Sequence, residues 1–326
     1  MHASMSAEPY RIDVHHHFLP PEYLLALQRA GVSEPIPEVD FPVWDVEQSL
    51  AVMDRQGIAT AMLSLSEPGV LFGTNALALT LARQINEYAA GLLQAYPQRF
   101  GAFAVLPLPD VDAALRETEY ALDTLHLDGI GLLTHYQGSY LGDPYFEPLF
   151  AELNRRHALV FLHPSTPPSK DQPRFHLPPS LYEFPFETTR TVANLLYSGT
   201  LERYPEIRFI LSHAGGAVPY LAKRLTFGPL IRASLKERAP KDVFTLLQRL
   251  YYDVAMSANP VTLTGLRALI DFSHILFGSD YPFMPESHLI KNSAELRAYE
   301  GFDASAVRLI ERENALSLFP RLRQRQ

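Results

Sequence analysis

Three consecutive histidines close the segment Arg-Ile-Asp-Val-His-His-His at residues 11–17. Successive side chains of a strand point to opposite faces, so His15 and His17 share one face and His16 takes the other. Two imidazoles one residue apart on a rigid strand can reach one cation, and nitrogen ligands of this kind suit borderline divalent metals such as zinc. Further along, His163, His213 and Asp280 also close apolar runs. His15, His17, His163 and Asp280 together offer three neutral imidazoles and one carboxylate. Around a divalent ion this set leaves a net positive charge and room for water or substrate. His213, in Ser-His-Ala-Gly-Gly, is either an acid or base beside that metal or a further ligand. Each residue alone has a plainer reading: His163 before Pro164 as a strand end, Asp280 in Gly-Ser-Asp-Tyr-Pro as a turn cap.

The elements that would bring these residues together follow from hydrophobic periodicity. Runs rich in Val, Ile, Leu and Phe predict strands near 11–16, 59–65, 101–106, 129–134, 158–162, 207–212, 250–254 and 274–279. Between them the spacing predicts helices over 45–56, 76–95, 110–126, 144–157, 188–203, 216–227, 240–249 and 260–271, the first opened by Asp45 as N-cap. Closing helices are expected over 286–300 and 303–319, with Asp303 as N-cap. The Pro-rich stretch 164–186 is expected to form no regular helix and to serve as a loop over the mouth. Strand alternating with helix eight times is the pattern of an α/β protein with a (β/α)8 TIM barrel. No Gly-x-Gly-x-x-Gly follows the first strand, which argues against a nucleotide-binding open sheet.

In such a barrel the C-terminal strand ends converge on one mouth, where active sites are built. His15, His17, Thr134, His135, His163, His213, Asp253 and Asp280 all fall there, whereas His274 opens strand eight at the opposite face. His135 is equally a substrate contact or a satisfied loop histidine. Phe283 follows Asp280 at the same strand end and is expected to wall the pocket and exclude water. Trp44, just before a helix, reads as a packing residue.

Composition narrows the function classes. Of 326 residues, 47% are hydrophobic and 20% charged, an ordinary globular balance. A net charge of −8 argues against nucleic acid or an anionic membrane as the main partner. The absence of cysteine removes disulfides and thiolate metal sites and fits a cytoplasmic protein. No apolar run approaches the ~18 residues that span a bilayer, and residues 1–10 lack a signal peptide's apolar core. The expected organisation is a flexible N-terminal tail over 1–10 and a single barrel domain over 11–326.

Five ordered motifs are similar to a known family: Asp-Val-His-His-His-Phe-Leu-Pro (13–20), Phe-Leu-His-Pro (161–164), Glu-Thr-Thr (187–189), Leu-Ser-His-Ala-Gly-Gly-Ala-Val-Pro-Tyr (211–220) and Phe-Gly-Ser-Asp-Tyr-Pro-Phe (277–283). They resemble the amidohydrolase-superfamily decarboxylases, which include aminocarboxymuconate-semialdehyde, γ-resorcylate and 6-methylsalicylate decarboxylases. The resemblance implies a (β/α)8 barrel, one divalent metal on His15, His17, His163 and Asp280, and a catalytic role for His213. It also implies that Arg224 reaches a neighbouring subunit's site and binds the substrate carboxylate, making the protein a homodimer; by sequence alone Arg224 is an ordinary surface arginine. The arginine that grips a dicarboxylate in the aminocarboxymuconate branch has no counterpart between Arg29 and Trp44. An aromatic monocarboxylate of the salicylate type, such as 6-methylsalicylate, is therefore the expected substrate.

The expected activity is metal-dependent, non-oxidative decarboxylation, a carbon-carbon lyase reaction, with Asp280 and His213 managing the proton. Zinc is the expected ion, with manganese as the alternative. A lactonase, esterase or hydratase of the same fold is the second reading, and a non-enzymatic metal-storage site the third.

Overall fold

Eight short apolar segments pair side by side because each is buried on both faces, the condition for an all-parallel sheet. The computed structural model describes residues 9–168 and 175–323. Its strands are β1 (Arg11–His17), β2 (Ile58–Ser64), β3 (Phe100–Val105), β4 (Gly129–Leu133), β5 (Leu159–His163), β6 (Arg208–Leu211), β7 (Tyr251–Asp253) and β8 (Ile275–Leu276). They pair in chain order, every neighbour parallel.

The segment after β8 closes the sheet onto β1. Val14 N donates to Phe277 O at 2.9 Å, Asp280 N to His15 O at 2.9 Å and His17 N to Tyr281 O at 2.7 Å. The fold is the (β/α)8 barrel, and all eight strands expected from the sequence are present.

Ile12, Val14, Phe103, Phe161, Ile210 and Leu276 fill the barrel interior, and Leu316, Leu318 and Phe319 join them from the C-terminal segment. Each fully buried phenylalanine there contributes about 1.5–3 kcal/mol. The β1–β2 register slips between Asp13 and His16. Ile12 and Val14 thereby join the interior floor while His15 and His17 enter it above.

The helices form the outer layer. Val46–Arg55 opens with the Asp45 carboxylate accepting from Gln48 N at 2.7 Å, as its spacing predicts. Asp303 caps its helix in the same way. Trp44 packs edge-on against Phe18 and Tyr88.

The Pro-rich stretch requires a correction. A helix was expected over 188–203, but it spans Pro179–Tyr197 and resumes only for Thr200–Arg203. Pro179 stands at the first helical position, where its missing N–H costs nothing. Pro185 lies inside the helix, and the Thr189 hydroxyl donates to its carbonyl at 2.7 Å. Residues 179–186 are thus helical wall, whereas 169–174, the middle of the expected loop, lie outside the described residues.

The helix Pro21–Arg29 was not anticipated. Most of the expected tail, residues 1–8, also lies outside the described residues. Tyr10 is pinned, its N donating to Gly57 O at 2.9 Å and its hydroxyl to Glu313 at 2.8 Å. Among the described residues no helix is long and apolar enough to cross a membrane.

Candidate metal centre and active site

The barrel mouth gathers the histidines by fixing one nitrogen of each. His15 Nδ1 lies 2.7 Å from Asp253 Oδ2, His17 Nδ1 3.1 Å from Ser64 O, and His163 Nδ1 2.8 Å from Pro164 O. A carboxylate or carbonyl can only accept, so each Nδ1 carries the hydrogen and each Nε2 presents a lone pair. His15 Nε2 and His17 Nε2 face each other at 3.0 Å, and Asp280 Oδ1 stands 3.3 Å and 3.2 Å from them. Ligand atoms of His15, His163, His213 and Asp280 all lie within 4.8 Å of one another. Lone pairs and a carboxylate packed this closely repel unless a cation sits among them, and the backing acceptors are those that orient metal-bound imidazoles. The residues fit a divalent ion.

Electrostatics agree. Burial pulls His15 down, but Asp253 and Asp280 together push it up to about 10, so the surroundings call for positive charge at this point. Burial holds His17 and His163 below their ordinary range and keeps both neutral, as ligands must be. Burial alone would raise Asp280, yet His15 and the other imidazoles hold it well below the usual carboxylate range.

His213 is reached through Asp253, whose Oδ1 accepts from His213 N at 2.9 Å. One buried carboxylate therefore orients both the His15 imidazole and the loop that carries His213. His213 Nε2 lies 3.4 Å from Asp280 Oδ2. His213 (φ 52°), Ala214 (φ 57°) and Asp280 (φ 61°) all adopt the left-handed region, at a cost of about 1–3 kcal/mol each, in keeping with strained backbone at functional sites. Gly216 follows, where a Cβ would come 2.1 Å from Pro185 O, so only glycine lets this loop touch the helical wall.

Above the imidazoles lies a cavity of about 290 Å³, walled by Ile36, Val39, Leu181, Phe184, Met256, Phe283 and Met284. The Phe283 ring packs edge-on to His17 at 5.3 Å, and Phe161 lies 5.0 Å from His15. Among the described residues no lysine or arginine lines this cavity.

The other two expected contacts lie elsewhere. The structure places His135 in a neighbouring cavity, its Nε2 donating to Thr166 O at 2.9 Å. Arg224 is exposed on the helix Val218–Leu225, with no ion pair among the described residues. Sequence reasoning put Asp253 at the mouth without a role and passed over Ser64, Asp13 and Glu67. A carboxylate ending a barrel strand, like His163 one strand-pair away, was the available signal for Asp253.

An amidohydrolase family model matches residues 12–321, and the chain belongs to the amidohydrolase family. Decarboxylase yanB of Aspergillus niger is 42% identical, over 95% of this chain and 88% of the relative. The 6-methylsalicylic acid decarboxylase of Penicillium expansum is 40% identical, over 96% of this chain and 97% of the relative. A crystal structure of an amidohydrolase II superposes with a TM-score of 0.88 at 31% identity, covering 95% of this chain and 99% of the other.

Proposed function

We propose that the protein is a metal-dependent, non-oxidative decarboxylase of a salicylate-type acid such as 6-methylsalicylate. The observation that carries this reading is the apolar, arene-sized cavity lined by His163, His213 and Asp280, with His15 and His17 packed against Asp280 behind them. Relatives at 40% identity or more that are named decarboxylases support it. An aromatic ring fits walls of Phe184 and Phe283, and a substrate methyl group fits beside Ile36, Val39 and the two methionines.

His15, His17, His163 and Asp280 would hold one divalent ion, zinc on the strength of three imidazoles, with manganese the ion the carboxylate also suits. When bound, it supplies positive charge for the substrate carboxylate and ortho hydroxyl. The chain's own groups move the proton. Asp280 Oδ2 and His213 Nε2 are close enough to share one. Delivered to the ring carbon that bears the carboxylate, that proton becomes the new C–H bond. The electrons of the broken carbon-carboxylate bond then restore the aromatic ring and CO2 departs. Phe283 and Phe184 exclude water during the step.

Arg224 supplies the missing cation in trans, in a homodimer. In support, large apolar side chains stand exposed beside it: Tyr220 at 88%, with Leu230, Ile231 and Val261 on neighbouring helices. Exposed apolar side chains on adjoining helices are what a protein interface would cover.

The test is to incubate metal-loaded protein with 6-methylsalicylate and follow CO2 and 3-methylphenol. Equimolar release that stops on chelation is expected; turnover of lactones or esters without CO2 release from aromatic acids overturns the reading. Arg224→Ala and Asp280→Asn subunits, each inactive, should regain activity when mixed. Verified heterodimers without activity would refute the shared site.

A further inference from the structure

A second cavity of about 250 Å³ opens into the barrel mouth on the β2–β4 side. Its walls are mostly apolar, with Leu65, Val70, Phe103, Val105, Leu106 and Leu133 among them. Gly131 on β4 leaves part of this space, since a Cβ there would make only ordinary contacts at 3.6 Å. Apolar cavities of about 150 Å³ already take benzene, so a substituted ring fits.

Two polar groups face the cavity with unused capacity. His135 Nε2 donates to the Thr166 carbonyl, so Nδ1 holds a lone pair, and it is buried without a partner among the described residues. Glu67 accepts from Thr166 N at 2.7 Å and from the Thr166 hydroxyl at 2.9 Å, both through Oε2, and Oε1 has no hydrogen-bond partner among the described residues. Burial pushes the Glu67 carboxyl up to about 7 against those two bonds, and the Glu187 charge adds to the rise. Among the described residues no lysine or arginine lines the cavity.

We infer that this cavity is a binding site for a neutral phenol, the decarboxylated product, distinct from the metal-side cavity that takes the carboxylate. Identification of the ligand as product rests on the decarboxylase reading. A phenol hydroxyl is both donor and acceptor. The cavity offers it the lone pair of His135 Nδ1 and the acid hydrogen of Glu67, while the ring meets leucine, valine and phenylalanine. A benzoate would bring a charge into a mostly apolar cavity that, among the described residues, no lysine or arginine lines, so the cavity discriminates product from substrate by the group the reaction removes. The two cavities adjoin. Ser66 and His163 line one, and Leu65, Glu67 and Ser165 line the other.

The test uses crystals of the metal-loaded protein soaked in 3-bromophenol, with calorimetry of 3-methylphenol in solution. Anomalous bromine signal between Glu67 and Leu133, and a calorimetric binding event that survives saturation of the metal side with a salicylate-type inhibitor, are expected. Gly131→Val, whose Cβ has room and whose branched side chain suits a strand, should remove both signals while metal content is unchanged. Bromine only above the metal ligands, or a single binding event abolished by that inhibitor, would overturn the inference. Neither readout needs turnover. A protein that binds the phenol here yet releases no CO2 would sink the decarboxylase reading and keep the site.

Discussion

The two faces of β1 put the same side chain to opposite uses. On the inner face, His15 and His17 are each held by Nδ1 and left with an Nε2 lone pair aimed at the other. On the outer face, His16 is equally buried but fully partnered, Nδ1 to Asp13 Oδ2 at 3.0 Å and Nε2 to Ser49 Oγ at 2.8 Å. Asp13, His16 and Ser49 even have the order of a hydrolytic triad. With no exposure to solvent, they clamp the strand to the helix Val46–Arg55 rather than attack anything. Burial and residue type are shared by the two faces. What separates the proposed ligands from the clamp is whether the second nitrogen keeps a lone pair with no donor to take it up.

The sharpest break of that contrast is His15→Ala or His17→Ala. Either should abolish metal retention and CO2 release, as elemental analysis and a CO2 assay would show; metal at wild-type levels would erase the distinction. His213→Ala comes next. It should keep the metal and lose about 10²–10⁴-fold in turnover, the usual worth of a positioned acid or base. If this variant loses metal as completely as His15→Ala, then His213 is a ligand.

Asp253→Asn leaves every ligand in place but weakens the acceptor behind His15. Metal affinity should fall by about 10–100-fold, measured by competition with a chelator. The outer face should show the smallest effect on chemistry. His16→Leu leaves the Ser49 hydroxyl without its partner and takes one bond from Asp13 Oδ2, which still accepts from Ser279 Oγ at 2.6 Å, costing about 1–3 kcal/mol in denaturant unfolding while metal content stays unchanged. Loss of metal in that variant would mean the two faces are not independent.

The inner face was legible in the sequence because a period of two and a barrel's single mouth are both readable from one chain. The eight strands, Asp45 and Asp303 as caps, and the gathering of His15, His17, His163, His213 and Asp280 follow from those rules. The helix Pro179–Tyr197 was not legible, since local rules count Pro185 as a breaker. They cannot see the barrel wall that holds the helix or the Thr189 hydroxyl that takes up its carbonyl. The role of Asp253 was hidden for a different reason. Its partner His15 lies 238 positions away, and a long-range pair leaves no mark on spacing. His135 illustrates the limit of arguing from strand ends, because all of them reach the mouth but the mouth holds two cavities.

The seam between β1 and the segment after β8 has a consequence for biosynthesis. Asp280, hydrogen-bonded through its amide to His15 O, is made only after nearly the whole barrel that separates it from His15 and His17. At about 5–20 residues per second the two sides of the seam are separated by on the order of tens of seconds. Until then the two imidazoles lack Asp280, and for most of that time Asp253 as well. On the proposed ligand set, the metal site is complete only once residue 280 has been made.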